Sequence, residues 1–258
     1  MLTEAQKSDC RRHLNYSFRN LAPPGVNGVG VFGLSVGYGF FEDSGILETR
    51  WNQIPPVDEA RLTGRCYGAL NLIGQDPAVG NQLSVIITSN DLQSAVTLSA
   101  TAASGDKKLD LANKILQAGA QNANLITAQI VPTVPYFTSA DSPEISFVAP
   151  NPFTLAITVT GQIYPVILQQ GLHLDPTLNT GSVIYGYLPI LNYLEQQIGN
   201  ASQNQDTARA DEWVARADEI ERRQKLYFIY QKKLANFLRV PLNPIPPSAG
   251  SGNNSVRI

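Results

Sequence analysis

Groups suited to catalysis are scarce in this chain. The two histidines, His13 and His173, stand far apart in sequence, which leaves a histidine-based metal site poorly supplied. The two cysteines, Cys10 and Cys66, form no C-x-x-C pair, and both fall in helical patterns. They read as two buried thiols rather than a disulfide. Charged residues make up 16% of the chain, below the usual quarter. The net charge is −2, so no overall basic field draws nucleic acid or an anionic membrane. No apolar run approaches the roughly 18 residues a membrane span takes. The start, MLTEAQKSDC, is polar, and the sequence predicts no signal peptide. No P-loop, G-x-S-x-G or H-E-x-x-H occurs. These absences predict a protein that is not an enzyme and carries no metal or cofactor.

What is present begins with 43% hydrophobic residues, enough for a real core. Gly28 to Gly33 spell GVGVFG, a literal G-x-G-x-x-G. A dinucleotide fingerprint needs a buried strand before it and a helix after it. Here Pro23 and Pro24 precede it, and Gly37 and Gly39 follow without a helical period. Proline does not supply a central strand. The stretch therefore reads as a glycine-rich loop leading into an extended arm.

Residues 2–14 read as a helix, with Thr3 as N-cap and Gln6 completing a capping box. Gly37 to Ile54 reads as a hairpin, with Phe40-Phe41 leading to a turn and Ile46 to Trp51 returning. A second helix is predicted from Pro55 through Leu70 or Ile73. The texture then changes, with only eight charged residues between Gly80 and Gln170. Strands are predicted at 82–88, 95–101, 126–131, 144–148 and 153–160. A helix at 107–118 would bury Leu109, Ala112, Ile115 and Leu116. Helix returns at 182–200, where Pro189 kinks it or marks its start. The longest helix is expected over about 207–239, with Trp213, Ile220, Tyr227 and Leu234 on its apolar stripe. The end, VPLNPIPPSAGSGNNSVRI, reads as an extended tail.

The expected fold is α+β: mainly a helical bundle built from both chain ends, 1–79 and 171–240, with a hairpin arm at 25–54. A small β-rich module, 80–170, would interrupt it, and 241–258 would form the tail.

Candidate chemistry is thin. His173-Leu174-Asp175 reads as a loop and does not make a general base. Asp218, Glu219 and Glu221 lie among Arg216, Arg222 and Arg223, as on a solvated helix face. Tyr227, Phe228 and Tyr230 lie among Lys225, Lys232 and Lys233. That mixture suits base stacking, but aromatics at helical spacing more often form core.

Four stretches together resemble head–tail adaptor (connector) proteins of tailed bacteriophages. They are LTEAQKSDCRRHLNY, GYGFFEDSGILETRWNQI, YLPILNYLEQQI and RRQKLYFIYQKKLANFLRVPLNP. The resemblance covers residues 1–75 and about 183–258. The module at 80–170 departs from that family's short form. It is similar to small β-rich insertions in phage virion proteins. The resemblance implies a dodecameric ring beneath the portal protein, in the virion neck, assembled in the host cytoplasm. A tail-side neck or tail protein would sit below. Genomic DNA would pass through the lumen without sequence-specific binding. Gly28, Gly30, Gly33, Phe40 and Phe41 would then meet neighbouring subunits. In the tail, the spaced apolar residues Leu242, Ile245, Val256 and Ile258 suit docking on a partner groove or sheet edge. The alternative is another virion component, a tail-completion, terminator or capsid decoration protein.

Overall fold

The computed structural model describes residues 2–14, 47, 49–51, 53–133, 141–203 and 210–242, apart from the side chains of 201–203 and 210–218. By its contacts the chain divides into two units. One is Met1–Leu2 with Trp51–Gln197, and the other is Thr3–Arg50 with Ile198–Ile258.

The first unit is dominated by one antiparallel sheet. Its strands are β1 (Cys66–Gly74), β2 (Gln82–Ser89), β3 (Val96–Thr101), β4 (Val131–Thr133), β5 (Glu144–Ala149), β6 (Phe153–Val159) and β7 (Ile163–His173). They lie in the order β3-β2-β6-β7-β1-β5-β4, curled into a half-barrel. A separate two-stranded ribbon joins β8 (Thr177–Asn179) to β9 (Val183–Tyr185). Helix α2 (Pro56–Thr63) precedes the sheet, while α3 (Lys108–Gln121) and α4 (Ala123–Thr127) follow β3.

Helix α3 covers the inner face of the sheet. Its Leu111, Ala112, Ile115 and Leu116 join Leu70, Leu72, Leu83, Val85, Ile87, Leu98 and Phe147 in the main core. The helix start is fixed by Asp110, whose carboxylate accepts from the Lys107 N–H at 2.9 Å. Lys108 is buried, and its ammonium donates to the Gly74 carbonyl at 2.6 Å. A smaller core of Ala60, Tyr67, Ala69 and Val148 lies on the opposite face, beneath α2.

The sheet has a seam between β6 and β7, which share a single register pair, Phe153↔Gly171. Beside it, the Gln170 side-chain amide replaces main-chain pairing. It accepts from the Leu155 N–H at 2.7 Å and donates to the Leu155 carbonyl at 3.1 Å. The Phe153 ring lies over Gly68 and Gly171. A Cβ on Gly171 would sit 2.4 Å from the ring, and one on Gly68 would sit 2.7 Å from it.

In the second unit, α1 (Glu4–His13) lies against α6 (Ala210–Leu238). Thr3 caps α1 as expected: the Gln6 N–H donates to Thr3 Oγ1 at 3.2 Å, and the Thr3 N–H donates to Gln6 Oε1 at 2.8 Å. Ile220, Tyr230, Leu234, Ala235 and Leu238 are buried along α6, and Cys10 and His13 along α1, with Leu14 buried just past its end. The division between the units falls within α5 (Tyr187–Gln203).

The expectation of a mainly helical bundle is overturned: the fold is mixed α/β, dominated by the curled sheet. The second helix stops at Thr63, where Gly64 takes the left-handed conformation (φ 76°), a common helix stop. Cys66–Gly74, expected as helix through Leu70 or Ile73, is strand β1, paired with both β5 and β7. The sheet thus reaches beyond 80–170 at both ends. Residues 183–185, also expected as helix, form β9, and Pro189 sits in the first turn of α5. Leu47, Thr49, Arg50 and Trp51 are helical, which removes the returning strand of the expected hairpin. The strand expected at 126–131 is mostly helix α4 and a turn.

Candidate functional site

Most of the expected contact surface lies outside the described residues: Gly28, Gly30, Gly33, Phe40, Phe41, Ile245, Val256 and Ile258. Leu242 is described. It follows the end of α6 in no regular element and is half-buried.

His173 is not in a loop but ends β7. Its Nδ1 lies 3.0 Å from the Gly64 carbonyl, to which it donates, since a carbonyl can only accept. Its ring stacks on Tyr185, with centroids 4.1 Å apart and planes 6° apart. Close packing around it requires glycine. A Cβ on Gly64 would come within 2.2 Å of the Tyr185 carbonyl oxygen, and one on Gly186 within 2.2 Å of the Gly64 nitrogen. These contacts tie β7, β9 and the end of α2 together, so His173 has a structural task.

The outer face of the sheet carries a small polar cluster. Tyr67 donates its hydroxyl to Glu144 Oε1. Burial, then the Glu144 carboxylate, pushes this phenol well above its ordinary range. Asn71 stands opposite Glu144 across β1 and β5, and its side-chain oxygen is buried without a hydrogen-bond partner. Beyond this cluster, Tyr164, Val166, Leu168 and Leu172 of β7 are exposed, and Ile73 of β1 is exposed opposite Tyr164. Exposure alternates along Ile163–Leu168, but IYPVIL is apolar throughout and carries no period-two signal in sequence, so this strand was not expected.

On α6, Glu219 pairs with Arg223, and Glu221 with Lys225 at 2.7 Å. Lys225 holds the exposed Glu221 carboxyl below its ordinary value. This is the solvated helix face that the charge pattern indicated. The aromatic residues of α6 divide between core and surface. Tyr230 is core, with the Lys233 ammonium 4.7 Å from its ring centroid. Phe228 and Ile229 are exposed, and Lys232 lies 4.5 Å over the Phe228 ring.

His13 is fully buried. Arg12 Nη2 lies 3.5 Å from its Nε2, and a guanidinium can only donate. Nε2 therefore accepts, and Nδ1–H donates to the Tyr227 hydroxyl oxygen at 2.9 Å. Gln231 Nε2 donates to the His13 carbonyl at 2.7 Å. The cluster joins helices from opposite ends of the chain.

Among the described residues, no group of three or more His, Cys, Asp or Glu is placed to hold a metal ion, and no helix is long and apolar enough to cross a membrane. The geometry offers surfaces and structural polar contacts. No family model, no curated protein and no solved structure matches the chain.

Proposed function

We propose that the chain is a structural virion protein, a head–tail adaptor that forms a ring beneath the portal and joins the capsid to the tail. The observation that carries this reading is the meeting of the chain ends. α1 and α6 belong to one unit, and His13 bonds both Tyr227 and Gln231 across more than two hundred residues of chain. These helices hold two of the four stretches whose local sequence resembles the adaptor family. The sheet stands between them in sequence, and the low proportion of charge suits a surface lying against other subunits.

The test is composition and location in assembled particles. Purified virions should contain this chain at ring-like copy number, and a label on it should appear at the portal vertex. Absence from particles would overturn the reading. A label spread over the capsid faces would replace it with a decoration protein.

A further inference from the structure

The two edges of the seven-stranded sheet are built differently. β4 is three residues long and contains Pro132, which has no N–H to offer. β3 has six residues, no proline and an unbroken register with β2. No charged residue occurs from Leu92 to Gly105. Natural sheets blunt open edges with short strands, proline, charge or bulges. β4 uses two of these devices, and β3 has only the Lys114 ammonium, at its Thr101 end.

Hydrogen bonding fixes which backbone groups of β3 look outward. Just beyond its end, the Ala102 N–H donates to the Asn81 carbonyl at 2.8 Å, and the Ala102 carbonyl accepts from the Gly80 N–H at 2.9 Å. Both groups of Ala102 thus face the β2 side. With the period of two in an antiparallel ladder, Ala100, Leu98 and Val96 do the same. Thr97, Ser99 and Thr101 then direct their N–H and C=O away from the sheet. The Thr101 carbonyl receives the Lys114 ammonium at 3.3 Å. The open pairing groups of β3 are those of Thr97 and Ser99, with the N–H of Thr101.

We propose that β3 pairs antiparallel with β3 of a second copy of this chain, about a two-fold axis at Leu98. An uncharged strand set against itself meets no like charge. The register follows from the groups left open, because opposite residues in an antiparallel pair share the same bonding status. Centring on Leu98 sets Thr97 against the partner's Ser99, and Ser99 against the partner's Thr97. Each pair exchanges both main-chain bonds, and Lys114 keeps the Thr101 carbonyl. Centring on Ser99 instead would require that carbonyl. In the Leu98 register the two Leu98 side chains meet on the core-facing side and extend the apolar layer over both copies. On the other face, the hydroxyl pair Ser84–Ser99, 2.8 Å apart, is carried on to the partner's Thr97. This pairing does not depend on the adaptor reading: a two-fold contact closes a dimer and is not the head-to-tail contact a ring repeats, so it belongs to the free chain.

Sedimentation velocity on the full chain at micromolar concentration should give twice the 28.0 kDa chain mass. Thr97→Lys with Ser99→Lys sets lysine against lysine on both sides of the axis and should give a monomer. Thr97→Lys with Ser99→Glu sets opposite charges against each other in the same register and should restore the dimer. Both side chains are exposed, so the core is untouched. Amide exchange on the unaltered chain reads the same contact without substitution: the Thr97 and Ser99 N–H groups should gain protection as concentration rises. A monomeric wild type would assign the edge to a different chain or to none, and would overturn the pairing. So would a dimer that survives both lysines, a Lys/Glu variant no more associated than the Lys/Lys variant, or exchange at Thr97 and Ser99 that ignores concentration.

Discussion

The Phe153 ring occupies the space that a Cβ on Gly171 would need, 2.4 Å from its position. These two residues are also the one register pair joining β6 to β7. The aromatic side chain therefore closes the seam where main-chain pairing is sparse, and glycine is what lets it lie flat there. Gly171→Ala should lower stability by about 1–3 kcal/mol through overpacking. Denaturant unfolding measures this. Phe153→Leu in the same chain should recover part of the loss, since the smaller side chain vacates the site. An alanine at 171 that leaves the midpoint unchanged would mean the seam is loosely packed.

The contact between α1 and α6 makes a second case. His13 is fully buried, with Tyr227 and Gln231 as partners. Tyr227→Phe leaves the imidazole without that oxygen, and Gln231→Leu leaves the His13 carbonyl without that donor. Each should cost about 1–3 kcal/mol, the penalty of a buried polar group left unsatisfied. The two changes touch one residue, so their effects should not add, and a double-mutant cycle reads the coupling. Strict additivity would show two independent contacts.

Leu234 is fully buried on α6, at a position the apolar stripe singled out. Leu234→Ala should remove about 2–5 kcal/mol by the lost transfer energy and the cavity left behind. Ile229, five residues earlier and exposed, is the control: Ile229→Ala should change stability by no more than about 0.5 kcal/mol. Equal effects at the two positions would place the seam on a different face of the helix.

Alternating strands with one open face, such as β3, were legible in the sequence, whereas β7, whose IYPVIL run is apolar throughout, was not expected. β3 alternates buried Val96, Leu98 and Ala100 with exposed Thr97, Ser99 and Thr101, the period-two signal expected of a half-buried strand. β1 gave no such signal. Cys66, Leu70 and Leu72 face the main core, while Tyr67 and Ala69 lie under α2. A strand buried on both faces reads as a continuous apolar run, which periodicity alone does not separate from helix. The fold class was missed there: with β1 read as helix, the remaining strands formed a minor module instead of the larger part of a seven-stranded sheet. On α3 the buried position is Leu111 rather than the expected Leu109, a small rotation set by packing on the sheet. The expected site residues lie mostly outside the described residues. The open edge of β3 was not legible, because a strand becomes an edge only through the order of the others in space.

The last prediction concerns alkaline pH. Cys10 is fully buried in the second unit. Burial, reinforced by the nearby Asp9 charge, pushes its thiol from 9.0 up to about 12. Cys66 is pushed up to about 11, again mainly by burial. Both folded states hold the proton more tightly than the unfolded chain does. Their contribution to stability is therefore complete below the unfolded value near 9 and is lost as pH rises toward 11 and 12. The midpoint of denaturant unfolding should be flat through neutral pH in this respect and should fall between about pH 9 and 12. Cys10→Ala should flatten part of that fall, although cavity formation makes the variant less stable at pH 7. Thiol chemistry gives an independent reading, because the thiolate is the reactive form. At pH 8 an aromatic disulfide reagent should label neither cysteine in the folded chain and both in denaturant. Prompt labelling of Cys10 in the folded chain, or an unfolding midpoint that does not change up to pH 12, would show that the thiol is not held away from water.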